Sequence, residues 1–159
     1  MLFRSGISFL HAGTEFLRSK KGVENSFQSP DSINAIDWSL KTKNKDVFEY
    51  VKALIKMRKE HPAFRMATAI EIAGLIRFTK KTPAGVIVYE INGKGVNDKW
   101  QKILVMFNGT DKSKSISLYS ENWQTAILNN EIAMGENPLA SIDLKPFSCS
   151  IFYQHKSGL

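Results

Sequence analysis

Apolar and polar positions alternate in three textures along the chain. The first is a short apolar run, Ile7 to Leu10, bounded by Gly6 and Gly13. A continuous apolar run of this length suits a strand buried on both faces, as in a parallel barrel. A long polar loop follows, Thr14 to Ser39, which interleaves Asn25, Asp31, Asn34 and Asp37 with Phe27 and Trp38. The second texture is helical. Val47, Phe48, Val51, Leu54 and Ile55 recur at spacings of three and four and predict an amphipathic helix over 46–60. Asp46 and Glu49 have the spacing of a capping box. Met57-Arg58-Lys59 puts positive charge where the helix dipole favours it, and His61-Pro62 ends the helix.

The third texture begins near Phe64. Beta-favouring runs are separated by turn residues. They are Leu75–Thr79, Gly85–Ile91, Lys102–Asn108, Ser115–Tyr119, Trp123–Leu128, Ser141–Leu144 and Phe147–Tyr153. About seven short strands at this spacing predict an antiparallel β-sandwich. Asn92 to Lys99 reads as a polar hairpin loop, and Asn108-Gly109-Thr110 as a turn.

The first quarter of the chain carries an ordered set of short motifs. They are His11-Ala12-Gly13, Glu15-Phe16-Leu17-Arg18, Asn25-Ser26, Pro30-Asp31-Ser32-Ile33-Asn34 and Ile36-Asp37-Trp38. In this order they resemble the end of the catalytic barrel of type I pullulanases, debranching members of the alpha-amylase superfamily of glycoside hydrolases. The chain departs from that pattern at Ser8 (proline in the family), Thr14 (glutamate), Ser19 (threonine) and Phe27 (tyrosine). The remainder resembles the family in layout only, as a helix followed by a β domain.

The resemblance implies a mainly β chain in two parts. Residues 1–62 would be the last strand, active-site-face loop and last helix of a truncated (β/α)8 barrel. Residues 63–159 would be the C-terminal sandwich. In such barrels the loops after the strands form the active-site face. The family activity, hydrolysis of α-1,6-glucosidic links in pullulan and branched malto-oligosaccharides, needs two carboxyl groups flanking the bond, about 5 to 5.5 Å apart for retention. The family's catalytic carboxylates sit on earlier strands, which would precede Met1, so no catalytic residue is expected here. Glu15 is expected to support the loop by hydrogen bonding.

Asn25, Phe27, Asp31 and Asn34 are the candidate glucan contacts. Amides and carboxylates match hydroxyl pairs, and an aromatic ring matches the flat apolar face of glucose. Asp31 and Asn34 could instead order the loop through Asx-type turns, with Pro30 presetting the bend. Trp38 is expected in the core, and Arg18 beside a barrel carboxylate. The apolar helix face should either lie on the β domain or await a missing barrel, and two copies could pair through it. A second reading is a stand-alone carbohydrate-binding sandwich using Trp100, Tyr119 and Trp123.

Composition narrows the field. The net charge of +7 comes from dispersed lysines without interleaved aromatics, so no nucleic acid is expected. No apolar run approaches the roughly 18 residues of a membrane span. The three histidines are far apart and no metal or cofactor is implied. The single Cys149 is expected to be a small buried hydrophobe and leaves the compartment open, as does the absence of a signal-peptide pattern in the first residues.

Overall fold

The computed structural model describes residues 6–118, 122–135 and 140–155. The first part is loop and helix. A 3-10 turn at Thr14–Phe16 leads to α1 (Asp31–Asn34), α2 (Ser39–Lys43) and α3 (Lys45–Glu60). A second 3-10 turn at Pro62–Phe64 leads to α4 (Ala69–Leu75). The strands are β1 (Ile76–Phe78), β2 (Val86–Asn92), β3 (Trp100–Asn108), β4 (Lys114–Ser117), β5 (Gln124–Leu128), β6 (Glu131–Ile132), β7 (Ser141–Leu144) and β8 (Ser148–His155).

Six strands form one antiparallel sheet in the order β1-β2-β3-β8-β5-β6. β4 and β7 pair as a separate antiparallel ribbon. In β3, Ile103 and Val105 join a core shared with Leu54 and Met57 of α3 and with Tyr89, Ile91, Ile151 and Tyr153. Leu104 and Met106 point the other way, into a core with Val86, Val88, Phe152 and the ribbon residues Ile142 and Leu144. The large sheet is therefore buried on both faces, by α3 and by the ribbon. That is why its central strands read as continuous apolar runs rather than alternating ones. The expected sandwich is present in lopsided form, with helix α3 covering the face opposite the ribbon.

Side chains lock the turns. Asn108 is buried and donates from Nδ2 to the carbonyls of Lys112 (2.8 Å), Leu144 (3.1 Å) and Lys145 (3.0 Å), tying the end of β3 to the ribbon. Asn129 and Asn130 adopt φ 49° and 70° between β5 and β6, the left-handed pair that a two-residue hairpin turn demands.

Several expectations are corrected. Residues 7–10 form no strand, and Ile7 and Phe9 are exposed. An isolated strand has no neighbour to take its backbone hydrogen bonds, so the apolar run stays extended without a ladder. The long helix begins at Lys45, and Asn44 precedes it with no side-chain cap. Asp46 lies in its first turn, while Glu49 pairs with Lys52 at 3.2 Å instead of closing a capping box. A true capping box lies further on, at Thr68 and Glu71, and starts α4, a helix the strand pattern concealed. No helix of the described residues is long and apolar enough to cross a membrane.

Candidate functional site

The loop between the first apolar run and α3 is held by its own hydrogen bonds. Gly13 sits at φ 92°, where a side chain is strained and where an added Cβ would come within 2.5 Å of Arg18 Cβ. Its carbonyl accepts from the Phe16 amide (3.1 Å) and the Arg18 amide (2.8 Å), and its own N–H donates to Glu15 Oε2 (3.0 Å). Glu15 thus supports the turn. Phe16 is pinned in the core, and its carbonyl accepts from Asn44 Nδ2 (3.0 Å).

Asn34 closes the loop. Its Nδ2 donates to the carbonyls of Ser26 (2.8 Å) and Ser29 (2.7 Å), and its Oδ1 accepts from Lys20 Nζ (2.6 Å). Its backbone carbonyl accepts from Arg18 Nη2, and Arg18 Nη1 donates to the Ala12 carbonyl (3.3 Å). Arg18 therefore clasps backbone carbonyls of the loop, where a carboxylate partner was expected. Asn25 Oδ1 accepts from the Phe27 amide (3.2 Å), a local turn that projects the Phe27 ring, which is 85% exposed. Asp31 follows Pro30 at the start of α1 and is exposed. The four candidate contacts thus share one loop but divide by role. Asn25 and Asn34 order the backbone; Phe27 and Asp31 face outward.

Trp38 is the main surprise of the loop. It was expected in the core, yet it is 66% exposed. Its ring meets that of Phe16, with centroids 5.7 Å apart and the planes tilted by 47°. The backbone on either side is fixed, since Asp37 Oδ1 accepts from both the Ser39 amide (3.0 Å) and the Ser39 hydroxyl (2.6 Å). Those hydrogen bonds, the hydroxyl first, hold the Asp37 carboxyl below its ordinary value.

Beside the loop lies an apolar cleft of about 510 Å³. Its walls are Leu10, His11 and Glu15 on one side and Phe48, Val51 and Ile55 of α3 on the other. The helix face lies on the β domain: Leu54 and Met57 enter the sheet core and Val51 and Ile55 pack against it, while Phe48 lines the open cleft.

At the far end of α3 is a cluster the sequence did not reveal. His61 Nδ1 lies 2.7 Å from Asp98 Oδ1, both buried. Asp98 also accepts from the amides of Trp100 (2.9 Å) and Ala63 (3.0 Å). Burial pushes the Asp98 carboxyl up, but the hydrogen bonds from His61, Trp100 and Ala63 outweigh it and leave the group below its ordinary value. His61 stacks on Trp100 at 3.5 Å and Trp100 on Tyr153 at 4.1 Å. Asp98 lies in the stretch read as a polar hairpin loop; its one local signal is Gly93, whose carbonyl accepts from the Asp98 amide (2.9 Å) and where an added Cβ would crowd the Trp100 carbonyl.

This stack also removes the surface platform of the stand-alone module. Trp100 is 1% and Trp123 2% exposed, both core residues, and Tyr119 lies outside the described residues. Cys149 is buried as expected, and burial pushes its thiol up to about 12. Among the described residues no group of three histidine, cysteine or acidic side chains could hold a metal.

A two-faced antiparallel sheet, a covering helix and an outward polar loop define a β-rich domain with a helix-and-loop segment before it. Comparison gives the family. Residues 72–131 match the family model "Pullulanase, all-beta domain". A pullulanase of Bacillus subtilis (strain 168) is 39% identical over 114 residues, which are 71% of this chain and 16% of that protein. The solved pullulanase from Bacillus acidopullulyticus superposes with a TM-score of 0.87 at 33% identity, covering 96% of this chain and 19% of that one. The pullulanase from Anoxybacillus sp. LM18-11 complexed with maltotetraose gives 0.82 at 33% identity, covering 96% and 22%. The chain belongs to the pullulanase family, and it spans about a fifth of the length of these relatives. The β part also carries a sequence match of its own, beyond the resemblance in layout.

Proposed function

We propose that this chain is the C-terminal part of a pullulanase-type glycoside hydrolase that cleaves α-1,6 links in pullulan and branched α-glucans. Residues 1–62 supply the loop and helix of its (β/α)8 barrel and the apolar segment 7–10 that becomes its last strand once the preceding strand is there to pair with it, and residues 63–159 supply its C-terminal β domain. The chain brings no catalytic carboxylate. It contributes scaffold and one wall of the substrate groove, in which Phe27 stacks on a glucose ring and Asp31 takes a hydroxyl pair. Asn25 and Asn34 hold those two in place.

The observation that carries this reading is the match over nearly the whole chain to pullulanases about five times its length. The exposed apolar surface of Ile7, Phe9 and the cleft supports it, because a soluble chain seldom leaves such a patch uncovered. The preceding barrel is the partner that fits. Without it, the same helix face is where two copies would pair.

The test is complementation. A Bacillus subtilis pullulanase cut before the corresponding segment is co-expressed with this chain, and pullulan hydrolysis is assayed. Recovery of activity together with co-purification is the expected result. Co-purification without activity removes the substrate-wall role, and neither result removes the reading altogether.

A further inference from the structure

We propose that α3 is the beam through which the β domain positions the loop, with Asp98 and Asn44 as the positioning residues at its two ends. The effect on activity rests on the substrate-wall reading of the loop; the mechanical link does not. The helix that the resemblance assigns to the barrel is fastened to the sheet. Leu54 and Met57 lie in one core with Ile91, Ile103 and Ile151, and Tyr50 packs against it. At the C-terminal end, Asp98 takes the His61 ring and the amides of Ala63 and Trp100 in one buried cluster. Arg65 closes the last turn, donating from Nε to the Arg58 carbonyl (2.9 Å) and from Nη2 to that of Lys59 (3.1 Å).

The same helix carries the first part of the chain at two points. Arg58 donates from Nη2 to the Gly6 carbonyl and from Nη1 to the Phe64 carbonyl. One side chain thus joins the start of the apolar segment, α3 and the entry to the β domain. At the other end of the helix, Asn44 donates from Nδ2 to the carbonyl of the buried Phe16 (3.0 Å). Residues 6–16 therefore run antiparallel to α3, pinned to it at both ends, with the cleft between them. The loop starts from the pinned turn, where the Gly13 carbonyl takes the amides of Phe16 (3.1 Å) and Arg18 (2.8 Å) and Arg18 clasps the carbonyls of Ala12 and Asn34. A helix of 16 residues is about 24 Å long. Packed along one face into a dense core, it moves as a unit. A displacement at Asp98 is therefore delivered to the Phe16 turn by the helix.

The test is hydrogen exchange on the full chain, read at the amides of Phe16 and Arg18. Asn44→Ala removes the pin and should speed both about tenfold. Asp98→Asn, a helix length away, should speed them about threefold, and the double variant should match Asn44→Ala alone. Independent sites this far apart have additive effects, so non-additivity is the signature of the beam. Asn108→Ala loosens the ribbon instead and should leave both amides at the parent rate. His61→Gln keeps the Ala63 and Trp100 bonds to Asp98, should give the pattern of Asp98→Asn, and stands in for it if that variant does not fold. The beam is overturned if Asp98→Asn speeds exchange at Ala63 and Trp100 but not at Phe16 and Arg18. It is equally overturned if the double variant multiplies the two effects, or if Asn108→Ala speeds the loop amides as much. In the complemented pullulanase, Asp98→Asn should raise KM for pullulan about threefold with kcat unchanged. Exchange that moves while KM stays put keeps the beam and removes the loop from the substrate wall.

Discussion

Asn34 uses both amide hydrogens and its oxygen within the loop. Replacing it with alanine strips the acceptor from Lys20, takes the side-chain donor from the Ser29 carbonyl and leaves the Ser26 carbonyl with the Ser29 amide alone. We expect Asn34→Ala to loosen the loop by about 2 kcal/mol, seen as faster amide exchange over residues 20–34 with little change in the global melt. Asp98 works differently, because its partners are buried. Asp98→Ala leaves the Ala63 and Trp100 amides and the His61 ring without their acceptor. We expect a loss of about 3 to 5 kcal/mol in urea unfolding. The sign of its pH dependence follows from its lowered carboxyl. The charged form is favoured in the fold, so its contribution is complete above the unfolded value of about 3.9 and disappears as pH falls through the lower folded value. Acid unfolding of Asp98→Asn should show a correspondingly shallower slope below about pH 4.

At the scale of elements, Asn108 decides whether the ribbon stays on the sheet. It serves three carbonyls at the corner where β3 ends. Asn108→Ala should cost about 2 kcal/mol, and Asn108→Asp more, because a carboxylate would face those carbonyl oxygens with no hydrogen to offer. Thermal melts of the two variants rank them. The strands were legible because asparagine, glycine and proline punctuate them and because doubly buried strands are apolar throughout. What stayed hidden depended on contacts distant in sequence. Asp98 looks like any loop aspartate until the end of α3 delivers His61 to it. Trp38 looks like core until the fold leaves it two-thirds exposed beside Phe16. In the loop, Asn34 and Asp31 are a few residues apart and alike in chemistry. Only the fold separates the one that builds from the one that faces out. The capping box at Thr68 and Glu71 was readable, but the β-favouring residues after it masked α4.

At the scale of the whole molecule, the open cleft is the feature that asks for a partner. Phe48 lines it without entering either buried core. Phe48→Glu should abolish complementation of the pullulanase barrel while shifting the chain's own unfolding free energy by no more than about 0.5 kcal/mol. Parallel co-purification and urea titration separate the two effects.

The order of strands in the sheet sets a schedule for biosynthesis. Of the described strands β8 is made last, yet it lies between β3 and β5, pairing with Phe107 on one side through Cys149 and with Ile127 on the other through Ile151. Until residues 148–155 leave the ribosome, β1-β2-β3 and β5-β6 are two separate arrays, each with one extra open edge, at β3 and at β5. The nascent chain must wait for its final strand before either array is closed. A chain that stops before Ser148 would therefore expose two sticky half-sheets rather than a slightly shortened domain.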